Sequence, residues 1–371
     1  MSVLSLIFGT FTVLAALTLL YRWRALKRLE YERHFSSPIA YVGDRIEMVE
    51  RIANRKLLPL PWLRLESLIS QGLSFGVQSN LDIRGGELLQ NHISLFSLRP
   101  YRQIIRRHEV YCMKRGYYRL ESATMTAGDP FGIQAGSRRF ALDLDLLVYP
   151  KPAEVDDLPL PVRSWLGELS VRRWIVEDPF LTSGVRDYRP GDPLPSINWK
   201  ATARAGALQV HRKDYTADHR LILALNLDIS EGMWKAVTDP ARMERGISYA
   251  ASIAAYAIGR GIEVGFLCNG RLGGGTPAPI RIPPGGGEGH LAVLLETLAR
   301  LELETVRTMD GLLLQETEQL ESASADDMAD YLLLTCHTGE KLLAAADQLR
   351  RQGCEVELLT LPEAREEERT A

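Results

Sequence analysis

Cysteine is scarce in this chain of 371 residues. The four that occur, Cys112, Cys268, Cys336 and Cys354, lie far apart and form no Cys-x-x-Cys pair. That spacing excludes a dense disulfide framework and the common zinc-ligand patterns. Cys268, Cys336 and Cys354 stand in or beside apolar runs, where a free thiol acts as a small hydrophobe, which fits a reducing compartment. An excess of charge of one sign is also missing. Lys and Arg total 44 against 47 Asp and Glu, a formal net charge of −3. This argues against nucleic acid as the main partner. No Gly-x-x-x-x-Gly-Lys-Ser/Thr loop is present, so a P-loop NTPase is unsupported, and the seven histidines show no His-Glu-x-x-His spacing. Cys336 and His337 are adjacent, and neighbours at a strand end point apart, which argues against a catalytic dyad.

What is present begins with an uncharged apolar run over residues 3–20. As a helix it spans about 27 Å, close to the roughly 30 Å hydrocarbon core of a bilayer. A cleaved signal peptide would carry basic residues before the run and a small-residue cleavage site after it. Here Arg22, Arg24, Lys27 and Arg28 follow it instead. The order favours an uncleaved, single-pass anchor, with the short N-terminus outside and the bulk of the chain cytoplasmic. Leu221 to Leu227 is too short to span and reads as a buried strand.

Five regions follow: an anchor with its basic flank (1–30), a β-rich domain (31–150), a linking segment (151–215), an α/β domain (216–361) and a charged tail (362–371). The β-rich part shows period-two stretches. Ile46 and Met48, Leu63 and Leu65, Ile93 and Leu95, and Val110 and Cys112 supply the apolar positions. Lys114-Arg115-Gly116 reads as a hairpin turn. Short strands between turn signals predict a β-sandwich or barrel. Arg106-Arg107-His108 reads as a solvated strand face, with a phosphate patch as the alternative.

From Leu221 the pattern alternates between strands apolar on both faces and helices. Strands are expected at 221–227, 262–268, 331–335 and 355–361, with helices near 240–260, 290–303 and 339–352. This predicts a mostly parallel sheet covered by helices, with any ligand site at the carboxyl ends of its strands. Asp228 and Thr335-Cys336-His337-Thr338 fall at that edge. The Gly/Pro-rich stretch 269–289 reads as a flexible excursion and a candidate partner-binding loop.

The joining segment carries the most distinctive pattern: Arg186-Asp187-Tyr188-Arg189-Pro190-Gly191-Asp192, then Asn198-Trp199-Lys200-Ala201-Thr202-Ala203-Arg204. It resembles the hallmark of the bacterial family named domain of unknown function fifty-eight, as does Gly128-Asp129-Pro130-Phe131-Gly132. Pro195 and Ser196 depart from the pattern, standing where members often carry Arg. The resemblance implies a von Willebrand factor A-like, Rossmann-type α/β domain. It also implies association with MoxR-type AAA+ ATPases and transglutaminase-like membrane proteins. Arg186, Tyr188, Gly191, Asp192, Trp199, Lys200 and Arg204 are then a docking surface of Arg forks and aromatic anchors, or an ion-paired lock within the domain.

Von Willebrand A domains hold Mg²⁺ through an Asp-x-Ser-x-Ser loop and a distant Thr. Here the loop reads Asp228-Ile229-Ser230-Glu231-Gly232, with Gly in place of the second Ser. Asp228, Ser230 and Thr335 therefore form a degenerate candidate for a hard cation; without a metal, Asp228 would cap a helix or pair with a hallmark cation. Three functions stay open: a membrane-tethered, non-enzymatic interaction protein, a metal-dependent hydrolase using Asp228 and Asp192, and an extracellular adhesion module, against which the basic flank argues.

Overall fold

A computed structural model describes residues 3–76, 82–85, 89–153, 182–189, 196–213, 220–231, 237–321 and 328–363. The chain divides into two compact units, Met1–Lys151 and Pro152–Ala371.

The first unit opens with helix α1 (Val3–Arg24), long and apolar enough to cross a membrane. Most of its side chains are exposed, but Tyr21 is buried, as is Ala25 just beyond the helix, in a core cluster with Leu29, Ile52 and Leu63. Ten strands follow: β1 (Leu29–Phe35), β2 (Ile39–Tyr41), β3 (Arg45–Asn54), β4 (Leu60–Ser70), β5 (Leu73–Phe75), β6 (Asp82–Gly85), β7 (Leu89–Leu98), β8 (Gln103–Cys112), β9 (Gly116–Gly128) and β10 (Ala135–Tyr149). They form a four-stranded sheet, β1-β3-β8-β5, and a six-stranded sheet, β2-β10-β9-β4-β7-β6. Side chains of both sheets meet in shared cores: Met48, Phe75 and Val110 from one with Ile69, Leu120 and Leu146 from the other. Period-two alternation puts Leu63, Leu65 and Ile69 of β4 inward.

Three expectations need correction here. Lys114-Arg115-Gly116 is not a hairpin turn, because β8 pairs with β3 and β5 while β9 pairs with β10 and β4; the chain crosses from one sheet to the other. In β7 His92 and Ser94 are buried along with Leu98, and Leu95 is 58% exposed. In β8, His108 is buried rather than solvated. Both strands turn polar side chains inward beside apolar ones, Leu98 in β7 and Val110 and Cys112 in β8, so polarity alone does not mark the outer face.

The Gly128-Asp129-Pro130-Phe131-Gly132 stretch joins β9 to β10. Asp129 Oδ1 accepts from the Phe131 and Ile133 amides, and its Oδ2 from Gln134. A Cβ on Gly128 would lie 2.1 Å from the Gln134 carbonyl oxygen, so only glycine lets the two strands close there.

The second unit contains β11 (Thr182–Asp187), α2 (Trp199–Ala205), β12 (Gln209–Lys213), β13 (Arg220–Leu225), α3 (Pro240–Gly259), β14 (Glu263–Cys268), β15 (Gly270–Leu272), β16 (Ile280–Gly285), α4 (Gly287–Arg300), β17 (Leu301–Thr305), α5 (Met309–Glu321), β18 (Asp330–Thr335), α6 (Glu340–Arg351) and β19 (Val356–Thr360). Its main sheet runs β16-β14-β13-β18-β19. β14, β13, β18 and β19 pair in parallel, and β16 adds an antiparallel edge. Helix α3 starts at the Asp239 cap with Pro240 in its first turn and buries Met243, Ile247, Ala250 and Ala254.

Stretch 269–289 is not one loop. It supplies β15 and the edge strand β16, tied down by Arg281 of β16 on the buried Glu316 of α5 at 2.7 Å. The helix expected to reach 303 ends at Arg300 and passes directly into β17. Helix α5 was not foreseen.

Candidate functional site

The chain leaves β13 toward β14 on one side and returns through β18 on the other. The carboxyl ends of β13 and β18 therefore flank a topological switch point, where open α/β sheets bind ligands. Asn226, Leu227 and Asp228 follow β13 there, and Thr335 to Gly339 run out from β18.

Amide and hydroxyl groups knit this edge together. Asn226 Nδ2 donates to Thr335 Oγ1 at 3.1 Å, and Asn226 Oδ1 accepts from the Asp228 amide at 2.9 Å. Asn269, just past β14, accepts from the Leu227 amide at 2.8 Å. Thr335 Oγ1 donates to the His337 carbonyl at 2.7 Å and also accepts from the His337 amide. Arg242 of α3 donates to the carbonyls of Cys336 and Leu361, clamping the ends of β18 and β19.

Asp228 caps a helix, one of the two roles expected of it without a metal. Its Oδ2 accepts from the Met309 amide at 2.9 Å, at the first residue of α5. Its Oδ1 is buried and, among the described residues, has no partner within hydrogen-bond distance. Burial pushes this carboxyl above the ordinary aspartate value, Asp310 adds to the push, and the Met309 amide, His337 and the Asn269 side chain oppose it. His337 Nδ1 accepts from the Gly339 amide, and its Nε2 is likewise buried with no partner among the described residues. Burial also pushes the Cys336 thiol up to about 11, the opposite of what an activated nucleophile needs.

Thr335 Oγ1 already uses its one hydrogen and both acceptor positions, so it has no lone pair to offer without dismantling the edge. Ser230 is half-buried. Among the described residues no group of three or more His, Cys, Asp or Glu side chains is placed to hold a metal. Asp228 Oδ1 is then the oxygen left to a cation, and Mg²⁺, which keeps several waters, is ordinarily held by one or two carboxylates.

The hallmark segment folds as β11, α2 and β12, the two strands pairing antiparallel from Thr182–Lys213 to Asp187–Gln209. Asn198 caps α2 through the Ala201 amide at 2.9 Å, and Gly206, at φ 70°, closes it. Gln209 bonds Asp187 at 2.5 Å, and its amide donates to Thr202 Oγ1. Arg186 is half-buried and donates to the Asp187 carbonyl, and Tyr188 is half-buried. Lys200 and Arg204 are exposed, and Trp199 is 68% exposed. Gly191 and Asp192 lie outside the described residues.

A second polar centre, unforeseen from the sequence, lies inside the first unit. Arg33, Glu50, Ser67, His92, Ser94 and His108 surround a cavity of about 10 Å³, space for one water-sized species. The Arg33 and Glu50 side chains are ion-paired at 2% and 3% exposure. Tyr31 donates to Glu50, and His108 Nε2 lies 3.0 Å from its other oxygen. Burial alone would raise Glu50, but the His108 hydrogen bond and the Arg33 and Arg106 charges hold it at about 2. Burial, with Arg33 and His108 nearby, lowers His92 to about 4. The only sequence signal was polar residues at alternate positions in β7 and β8.

Comparison with known proteins addresses the hallmark directly. The family described as "Protein of unknown function DUF58" matches residues 184–368. An uncharacterized protein of Bacillus subtilis (strain 168), YeaD, is 21% identical over 264 residues, 71% of this chain. These matches support the DUF58 family. The chain spans 61% of the length of the YeaD relative. The DUF58 match begins within β11 and contains the hallmark residues from Arg186 to Arg204 and the sheet edge. Solved structures resemble the chain only in part. A stretch of Escherichia coli alpha-2-macroglobulin matches at 13% identity and a TM-score of 0.25, covering 33% of this chain and 23% of that one. The major pilin SpaD of Corynebacterium diphtheriae matches at 11% and 0.25, covering 35% and 38%. At those scores neither bears on fold or function.

Proposed function

We propose that this is a membrane-anchored, non-enzymatic interaction protein. In this reading α1 spans the cytoplasmic membrane and the rest of the chain lies on the cytoplasmic side. The second unit is of von Willebrand A type, and its hallmark hairpin docks a partner. The family resemblance points to a MoxR-type AAA+ ATPase as that partner and to a transglutaminase-like membrane protein in the same assembly. The observation that carries the reading is Trp199: a large aromatic 68% exposed on a helix capped at both ends and tied to β12 through Thr202. A rigid, exposed tryptophan beside exposed cations has the composition of an interface hot spot. The sheet edge supports the same reading, because its polar groups hold loops together and burial disarms the Cys336 thiol.

The test is site-specific photo-crosslinking from position 199 in cells, followed by identification of the adduct. Capture of an AAA+ ATPase, lost in Lys200→Glu, is the expected result. Adducts unchanged by Lys200→Glu and by Arg204→Glu would sink the docking surface.

One atom favours a second reading, a metal-dependent hydrolase: the unpartnered Asp228 Oδ1. Calorimetric titration with Mg²⁺ and Mn²⁺ decides it, with Asp228→Ala as control. Heat abolished by the substitution supports the hydrolase, and no heat removes it.

A further inference from the structure

We infer that the first unit carries a binding site for the headgroup of an anionic phospholipid at the exit of α1. This inference rests on the proposal that α1 is a membrane anchor. A cavity of about 620 Å³ opens where the helix ends, its wall including Arg24, Lys27, Arg28, Lys56, Leu57 and Tyr101. All six belong to the first unit.

The site is built in its backbone. Lys56 is buried, and its ammonium donates to the carbonyls of Ala25 and Lys27 at 2.7 and 2.8 Å, so the basic turn after α1 is held in one shape. Arg28 and Tyr101 both adopt left-handed backbone, at φ 53° and 48°, a conformation unfavourable for side chains of their size. The Tyr101 amide donates to the Lys56 carbonyl and the Arg55 amide to the Arg28 carbonyl, which ties the two left-handed positions to neighbouring residues of one turn.

The site's charge is uncompensated. Arg24, Lys27 and Arg28 are exposed, and among the described residues none of their side chains has an acidic partner. The nearby Arg55 is paired with Glu30 and adds nothing. Three free cations around one cavity call for an anion with several acceptor oxygens, such as a phosphodiester.

The apolar rim selects the class of anion. Leu57 is 74% exposed and Tyr101 65% exposed beside the cations, and Trp23, in the last turn of α1, is exposed too. A soluble phosphate makes no use of an exposed leucine. A phospholipid does: its phosphate meets the cations while its glycerol and upper acyl carbons cover Leu57 and the tyrosine ring. Aromatics and cations at the end of a spanning helix sit at this depth of a bilayer.

The experiment uses the full chain, purified from membranes containing phosphatidylethanolamine and phosphatidylglycerol. Native mass spectrometry reads which lipids stay bound, and a carbonate wash of the membranes reads the anchor separately. The expected result is a carbonate-resistant chain that retains phosphatidylglycerol in preference to phosphatidylethanolamine. The triple variant Arg24→Gln, Lys27→Gln, Arg28→Gln then loses that preference by roughly tenfold or more, since each cation near an anionic leaflet contributes a factor of a few. Leu57→Asp, which leaves every cation in place, also lowers it. These positions are exposed, so the melting temperature should not move. A carbonate-resistant chain without lipid preference, or a triple variant that keeps it, overturns the headgroup site and leaves the anchor standing. Release by carbonate overturns the anchor and the site together. If glycerol phosphate binds as tightly as the intact lipid, the rim plays no part and the lipid assignment fails.

Discussion

The two units solve the same problem, how to hold layers together through buried polar groups, with different chemistry. In the β unit the groups are ionic. Along β1, β3, β4 and β8, one polar layer separates two apolar clusters: Leu29, Arg33, Phe35; Ile52, Glu50, Met48; Leu65, Ser67, Ile69; Ile104, Arg106 and His108, Val110. In the α/β unit the groups at the sheet edge are chiefly neutral: Asn226, Asn269 and Thr335 share hydrogen bonds, and the one carboxylate, Asp228, is held above its ordinary titration range. A buried ion pair repays its desolvation only while both partners remain, whereas a neutral network loses one hydrogen bond at a time. The β unit should therefore be brittle to single substitutions and to acid, and the α/β edge should yield gradually.

The largest break is expected from Glu50→Ala, which leaves Arg33 buried and unpaired. The loss should be about 3–5 kcal/mol in denaturant unfolding of the full chain. Adding Arg33→Met should recover much of it, and a double variant as unstable as the single one would show that the pair is not the unit of cost.

Acid tests the same contrast by sign. His92 is held at about 4 when folded against roughly 6.5 when unfolded, so the stability it contributes is full above pH 6.5 and is lost as pH falls toward 4. Glu50, held at about 2, adds a second loss as pH falls below roughly 4.3. Protection factors of the β3 and β7 amides, exchange rates corrected for the intrinsic pH dependence, should thus fall from pH 6.5 to 4, and His92→Gln should flatten that window. Asp228 runs the other way. Its folded value is raised, so its contribution is full below roughly 3.9 and is lost as pH rises through the folded value. Asp228→Asn should remove that slope from the amides of α5 and leave β3 unchanged.

Asn226→Ala should cost about 1–3 kcal/mol, by stranding the Asp228 amide and one bond of Thr335, read as unfolding of the second unit. The smallest stability effect belongs to Trp199→Ala. Its exposure implies a change within about 0.5 kcal/mol, with partner capture lost all the same.

Much of the α/β unit was legible because its strands are apolar on both faces and its helices carry a clean stripe. Residues 221–225 and 331–335 read as strands at once, and Pro240 after Asp239 marks the start of α3. Helix α5 was hidden because Gly311 interrupts it and its buried stripe contains Glu316, acceptable only because Arg281 and Tyr331 meet that carboxylate. The edge strand β16 was hidden by Pro283 and Pro284, which read as loop. The polar layer of the β unit was illegible for a deeper reason. Arg33, Glu50 and His108 are scattered along the sequence, and nothing local says that three charged or polar strand positions will face one another. At the sheet edge the sequence pointed to Asp228, but Met309, whose amide it caps, lies 81 residues away and carries no signal of its own.

Those two prolines have a consequence of their own. β16 is the outer strand of its sheet, and its row of outward backbone groups is where a second chain would add on. Pro283 and Pro284 have no amide hydrogen to offer, and the register shifts between Val264 and Phe266 beside them. An intruding strand meets a broken ladder. For a protein that would be concentrated on a two-dimensional surface, where neighbouring copies collide far more often than in free solution, a margin that refuses sheet extension keeps crowding from turning into aggregation.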